Sequence, residues 1–145
     1  MEHSHIIQHE NALNFILGGN ALFTIKSKKT GTRFTFKVLI DQKNEGCFRV
    51  QLLTGTDNTR NYTMIGKIDV SKLGVIPLSI HTKSSPAFVA INHVVTNLQV
   101  SFPMPSLEIW HEGRCCRCGR VLTVPESIMN GIGPECIFKQ DVKNY

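Results

Sequence analysis

Apolar and polar side chains alternate through residues 20–40, and this pattern constrains the fold more than any other feature of the chain. In NALFTIKS and RFTFKVLI nearly every second residue is apolar, which is the period of a β-strand with one buried face. The intervening KKTG is typical of a turn, so we predict a hairpin with its tip near Lys29–Gly31. CFRVQLL and YTMIGKIDV continue the alternation, with a bulge predicted at Gly66. We therefore predict an antiparallel meander of about four strands.

Two segments have the pattern of helices. HENALNFIL at residues 9–17 places apolar side chains on one side, and the following Gly18 and Gly19 end the helix. In KSSPAFVAINHVVTNL a serine can cap the helix, and Pro86 suits the first turn. Phe88, Ile91 and later apolar residues recur there at steps of three and four, which gives one face that can pack on a sheet.

These elements predict an α+β fold, an antiparallel β-meander with a packing helix, plus a C-terminal treble-clef-like zinc module. We expect a body at residues 1–105 and the module at residues 106–145, after the stiff proline-containing connector SFPMPS. No apolar run reaches the roughly 20 residues that span a bilayer, and the N-terminus does not resemble a secretory signal. We expect the protein to act in the cytoplasm, where clustered cysteines bind metal more often than they form disulfides.

Residues 111–136, HEGRCCRCGRVLTVPESIMNGIGPEC, contain four of the chain's five cysteines. Cys115 and Cys118 have the spacing of a zinc knuckle, in which a sharp turn brings two sulfurs to one ion. Gly119 can adopt the positive φ that ends such a turn, and backbone N–H groups there can point at the thiolates. If Cys115 and Cys118 are the two ligands of this turn, the Cys116 side chain between them faces away from the ion. Cys136 lies at a predicted helix start, where the helix dipole favours a thiolate.

The predicted site needs a fourth ligand, because structural zinc usually binds four. His111 is close enough in the sequence to fold back onto the ion and is our first choice, with Cys116 or a bound water as the alternatives. We predict a structural Zn²⁺ held by His111, Cys115, Cys118 and Cys136. The chain has neither the deaminase pattern nor H-E-x-x-H, and no phosphate-binding loop, so we do not expect an enzyme.

The segment RCCRCGRVLTVPESIMNGIGPEC is similar to a short cysteine-bearing domain of unknown function that occurs in many bacterial and phage proteins. The shared pattern is C-x2-C-G-R-x-L, a central serine, and G-x-G-P-x-C, and Cys116 departs from it. The matching residues are Cys115, Cys118, Gly119, Arg120, Leu122, Ser127, Gly131, Gly133, Pro134 and Cys136. The resemblance implies a zinc-type module. The meander and WHEG also resemble small phage-borne proteins with this module at the C-terminus, which implies the cytoplasm of a host cell.

The net charge of +5 lies in residues 1–107, because residues 108–145 carry five basic and five acidic side chains. Basic side chains lie on the polar side of both strands of the first hairpin, and three arginines, Arg114, Arg117 and Arg120, flank the knuckle. Such groups can contact the phosphates of DNA or RNA, although a lysine-bearing sheet face also keeps an edge soluble. The predicted nucleic-acid contacts are Lys26, Lys28, Lys29, Arg33, Lys37, Arg117 and Arg120.

We therefore expect a non-enzymatic zinc-containing binding protein, phage or mobile-element encoded, that contacts nucleic acid. The alternative is a protein-binding inhibitor or adaptor acting on a host complex, such as a counter-defence factor. Self-association through a sheet edge is compatible with both. We expect neither membrane contact nor a small-molecule substrate. The loop before Tyr62 either places Arg60 and Tyr62 to stack on a base or only connects two strands.

Overall fold

The computed structural model describes residues 5–55, 61–122 and 131–132. Its strands are β1 Ile6–Ile7, β2 Asn20–Ser27, β3 Arg33–Ile40, β4 Cys47–Leu53, β5 Tyr62–Asp69, β6 Ile76–Pro77 and β7 Leu107–His111. Its helices are α1 His9–Ile16, α2 Ile80–Lys83 and α3 Pro86–Gln99. The α+β class predicted from the sequence is confirmed. Within the described ranges no helix is both long and apolar enough to cross a membrane.

The predicted meander is present as β2–β3–β4–β5, in which each strand pairs antiparallel with the next. The first hairpin turns where the sequence indicates, and Gly31 there has φ +74°. The β4–β5 register shifts so that Val50 faces Gly66 and Gln51 faces Met64, which leaves Ile65 as the extra residue. The irregularity predicted at Gly66 is therefore confirmed.

The sheet is larger than the predicted meander of about four strands, because three further strands of the described chain extend it. In the described residues the sheet has seven strands in the order β1-β7-β2-β3-β4-β5-β6. Strands β1 and β6 have two residues each, too short to produce a readable period. Strand β7 pairs with β2, far away in the sequence, and local alternation does not reveal such a pairing. Residues 107–111 of the predicted module thus share the sheet of the body.

Helices α1 and α3 cover one face of the sheet. Phe15 of α1 meets Phe23 of β2 edge to face, with ring centroids 6.2 Å apart. Helix α3 begins as predicted, because the Ser85 side chain accepts a hydrogen bond from the Phe88 N–H and Pro86 occupies the first turn. Phe88 and Ile91 of α3 are buried in the same core as Phe23. The other face carries no helix in the described structure, and we call it the open face.

Candidate nucleic-acid interface and cysteine knuckle

The open face carries basic side chains on four adjacent strands. Strand pairing places Lys26 opposite Arg33 in β2 and β3, and Arg49 opposite Lys67 in β4 and β5. Lys37 lies between these pairs, opposite Leu22 on one side and Gln51 on the other. Arg33, Arg49 and Lys67 are exposed, whereas Lys26 and Lys37 are half-buried. This arrangement produces a broad positive surface.

Four acidic groups reduce this positive charge. Glu108 of β7 lies opposite Lys26, and Asp69 lies at the far end of β5, opposite Cys47. Glu112, just after β7, lies on the wall of a cleft beside β2. Hydrogen bonds from Asn44 and Lys43, together with the nearby charge of Arg49, lower the pKa of Asp41 at the end of β3. Five basic side chains therefore face four acidic ones, and the surface keeps a small net positive charge.

The cleft has a volume of about 580 Å³ and lies at the end of the open face formed by β7, β2 and β3. Its walls include the indole of Trp110, the basic side chains of Lys26 and Arg33, and the hydroxyl of Thr24. Trp110, Thr24 and Thr35 form one transverse row, in which the two threonine hydroxyls hydrogen-bond at 2.7 Å. The volume is within the range of pockets that hold small organic groups.

Trp110 combines a half-buried ring with an unsatisfied donor. Its Nε1 atom is buried and has no hydrogen-bond acceptor within the described part of the chain. A buried donor without a partner costs roughly 1–3 kcal/mol, and such atoms are uncommon in folded proteins. The indole therefore carries a donor that the described residues leave unpaired.

Tyr62 lies on the same face at the opposite side of the meander. Its hydroxyl is also buried without a partner among the described residues. The Lys37 Nζ lies 4.3 Å from the centroid of the Tyr62 ring, which is a cation–π contact. Burial raises the pKa of Tyr62, and the negative charge of Glu112 raises that pKa further. Tyr62 is therefore neutral at physiological pH, and one face of its ring is occupied by Lys37.

Residues 113–122, the position of the predicted knuckle, form a narrow hairpin, which we call the knuckle. The Cys115 N–H donates to the Arg120 carbonyl at 2.9 Å, and the Gly119 N–H donates to the Cys115 carbonyl at 2.9 Å. Gly119 has φ +78°. The Arg117 N–H points at the Cys115 Sγ, 3.4 Å away. Both local predictions, the glycine turn and an amide aimed at a cysteine sulfur, are confirmed.

The knuckle docks onto the body through Cys116. The Cys116 carbonyl accepts a hydrogen bond from the Asn20 N–H at 2.7 Å, and its own N–H donates to the Gly131 carbonyl at 2.9 Å. Its side chain is buried beside Gly18, where an added Cβ would lie 2.6 Å from Sγ. Cys116 thus packs into the turn between α1 and β2.

His111 is buried at the end of β7, opposite Phe23 of β2. Its ring stacks on His5 at 4.8 Å between centroids, and its Nδ1 accepts a hydrogen bond from the Gly113 N–H at 2.9 Å. A histidine that binds zinc usually donates a proton from its other ring nitrogen. In this orientation, zinc binding by His111 requires the ring to turn over or to release the Gly113 amide.

The two predicted cysteine ligands of the knuckle lie in different environments, since Cys115 is fully buried and Cys118 is exposed. Outside the knuckle, Cys47 lies half-exposed in β4. In residues 5–55, 61–122 and 131–132, no group of three or more His, Cys, Asp or Glu side chains is arranged to hold a metal ion. Cys136, predicted as a ligand, lies outside the described residues, as do the predicted treble-clef hairpin beyond Leu122 and its helix.

The seven predicted nucleic-acid contacts do not form a single patch. Lys26, Arg33 and Lys37 lie on the open face, whereas Lys28 and Lys29 lie in the exposed turn at its end. Arg117 and Arg120 belong to the knuckle, which contacts β2 at the opposite end, near Asn20. Since β2 has eight residues, Arg117 and Arg120 are separated from the turn lysines Lys28 and Lys29 by roughly 25 Å along the strand.

Sequence reasoning missed Trp110, Arg49 and Lys67 as members of the interface. Trp110 is the chain's one tryptophan and lies in the alternating stretch LEIWH, so the sequence could have indicated it as a candidate binding residue. Arg49 and Lys67 also have the polar parity of their strands. Their importance depends on the pairing of β4 with β5, which brings them opposite each other.

One family model, described as a family of unknown function (DUF6011), matches residues 110–139. The match begins within β7 and includes the whole knuckle, so the segment is similar to a recognised but uncharacterised domain. It covers a minor part of the chain. Comparison with curated proteins and with solved structures found no match.

Proposed function

We propose that this protein binds nucleic acid, with the open face contacting the phosphate backbone. The observation that supports this proposal best is the set of five basic side chains on adjacent strands, Lys26, Arg33, Lys37, Arg49 and Lys67. Phosphate contacts of this kind supply most of the affinity of binding without sequence preference. In this proposal the protein binds the nucleic acid and does not modify it.

Fluorescence anisotropy of a labelled single-stranded oligonucleotide of about 12 nucleotides tests the proposal directly. At low salt we expect saturable binding with a Kd of about 1–100 µM. The double variant Lys26→Gln/Arg33→Gln should bind about tenfold more weakly, because two charge-assisted contacts are lost. Flat titration curves for the wild-type protein would refute the proposal.

A matched control separates the open face from net charge. Lys43 in the β3–β4 turn and Lys83 at the end of α2 are both exposed and are not among the five basic side chains of the open face. Lys43→Gln/Lys83→Gln removes the same charge and should leave the Kd within about twofold of wild type. Equal losses in the two double variants would show that the open face has no special role.

We also propose that the knuckle belongs to a structural zinc site, with Cys115, Cys118 and Cys136 as ligands and His111 in the fourth position. The hairpin geometry, the positive φ of Gly119 and the Arg117 amide near the Cys115 sulfur support this. A treble-clef form and a phage or mobile-element origin belong to the same proposal. In this proposal the zinc ion has a structural role, since it links the knuckle to Cys136, and it does not catalyse a reaction.

The second candidate function is a protein-binding inhibitor or adaptor that acts on a host complex. One observation favours it: Leu78 and Ile80, next to the edge strand β6, are 59% and 81% exposed. Exposed apolar side chains at a sheet edge are typical of a protein contact. A stoichiometric partner retained after nuclease treatment, and lost with Leu78→Ser/Ile80→Ser, would favour this function over nucleic-acid binding.

A further inference from the structure

We infer that the Trp110 cleft receives an unpaired base, so that the ligand of the open face is single-stranded nucleic acid and not duplex. This inference rests on the proposed function and specifies its substrate. It follows from the surroundings of the indole, the spacing of the nearby cations and the unsatisfied donor at Nε1.

The cleft places an aromatic ring beside two cations. Trp110 lies opposite Thr24, and the Lys26–Arg33 pair lies two residues further along β2 and β3. Two residues along a strand correspond to about 7 Å. A phosphate held by the two cations and a base stacked on the indole can therefore belong to one nucleotide.

The cleft favours an unpaired base because an aromatic ring lines it. Trp110 is half-buried and is one of the lining residues. In a duplex, both faces of each base are covered by neighbouring bases, so only an unpaired base can enter and stack. Phosphate contacts alone would not distinguish the two forms.

The unsatisfied Nε1 of Trp110 supports the same occupant. A base carries carbonyl and ring-nitrogen acceptors around its edge. Since Nε1 is buried, an acceptor of the base would reach it only after a small rotation of the indole, and the new hydrogen bond would pair a donor that has no partner in the described structure.

Tyr62 does not provide an equivalent second platform. The Lys37 Nζ covers its ring at 4.3 Å, and its hydroxyl is buried. Stacking on this face is therefore expected at Trp110. From there the strand would cross β2 and β3 towards Lys37, with its phosphates near the cations.

The intrinsic fluorescence of Trp110 tests this inference, because it is the chain's one tryptophan. The wild-type protein is titrated with an unlabelled single strand of about 12 nucleotides and with the duplex formed by that strand and its complement. We expect the single strand to quench Trp110 fluorescence saturably and to bind about tenfold more tightly than the duplex, since only the single strand can stack a base on the indole.

Two variants separate stacking from mere packing. Trp110→Leu should weaken single-strand binding about tenfold while leaving duplex binding unchanged, and Trp110→Phe should retain most of the affinity. Circular dichroism checks that both variants are folded. The wild-type quenching experiment is independent of either variant and decides the matter if one of them unfolds.

The outcomes distinguish this inference from the proposed function. If neither strand nor duplex binds, the proposed function fails and the inference fails with it. If duplex and single strand bind equally, without quenching of Trp110, only the inference is overturned. Preferential single-strand binding with quenching supports both.

Discussion

The Nζ of Lys37 lies 4.3 Å from the centre of the Tyr62 ring, with Lys37 on β3 and Tyr62 on β5. The contact bridges β4, the strand between them, and fixes a cation over an aromatic ring on the open face. It also places Tyr62 where burial dominates its ionisation, because its hydroxyl has no contact with solvent. The chemistry of the open face is therefore set by strand pairing and not by any local motif.

We predict that Tyr62 titrates above the ordinary tyrosine pKa of about 10, because burial raises its pKa and Glu112 adds to the effect. In the pH range above 10 the unfolded chain loses this proton first, so the folded state binds more protons than the unfolded state. The contribution of Tyr62 to the free energy of unfolding is complete at pH values below its pKa in the unfolded chain. It is lost as pH rises through its pKa in the folded protein.

Tyrosinate absorption of the wild-type protein and of Tyr62→Phe measures this. The component removed by Tyr62→Phe should titrate above the value for free tyrosine. Chemical unfolding of the two proteins should then show the wild type losing stability relative to the variant as pH rises past 10. A component at or below the ordinary tyrosine pKa would contradict the burial of the Tyr62 hydroxyl.

Gly18 is predicted to be essential for docking of the knuckle. In Gly18→Ala the new Cβ would lie 2.6 Å from the Cys116 Sγ and 2.7 Å from the Cys116 carbonyl oxygen. Since the carbonyl is backbone, a rotamer change of Cys116 cannot relieve both contacts. We expect a loss of about 1–3 kcal/mol in the free energy of unfolding, as for other overpacked sites.

Urea denaturation measures this loss. Asn14→Ala, at an exposed position of α1, serves as the control and should change stability by less than about 0.5 kcal/mol. Full stability of Gly18→Ala would mean that Cys116 does not pack against the turn between α1 and β2.

The zinc proposal predicts about one Zn²⁺ per chain in the purified protein. Cys118→Ser and Cys136→Ser should each lose the metal and melt at a lower temperature, because metal binding in a small site contributes to folding. Cys47→Ser should keep the metal, because Cys47 lies in β4 and outside the knuckle. Elemental analysis together with thermal melting measures both effects.

The fourth ligand is tested in the same assay. Cys116→Ser should keep the zinc if Cys116 only packs on Gly18, whereas His111→Ala should lower the metal affinity if His111 completes the site. Full zinc content with unchanged melting in Cys136→Ser would refute the proposed ligand set.

Much of the fold could be predicted because its signals are local. The hairpin of β2 and β3, the capping serine of α3 and the glycine turn of the knuckle depend on residues close together in sequence. The insertion of β7 between β1 and β2 could not be predicted, since it depends on pairing between distant segments. The same pairing brings Trp110 next to Thr24, so the cleft could not be predicted from the sequence either.

The basic surface shows the same limit. Side-chain parity along β2 and β3 was enough to place Lys26, Arg33 and Lys37 together on one face. It did not show that the knuckle contacts the far end of β2, which separates Arg117 and Arg120 from the hairpin turn. Local patterns predict which face a residue occupies, whereas distances between patches depend on tertiary pairing.

The salt dependence of single-strand binding tests the central claim, that the open face binds phosphate, most directly. For single strands, the slope of log K against log salt concentration is about −0.7 for each neutralised phosphate. Lys26→Gln/Arg33→Gln should make the slope shallower by about 1.4, as expected for two lost contacts. Lys43→Gln/Lys83→Gln should leave the wild-type slope unchanged. A wild-type slope in the Lys26/Arg33 variant, or a slope near zero in the wild-type protein, would contradict the account.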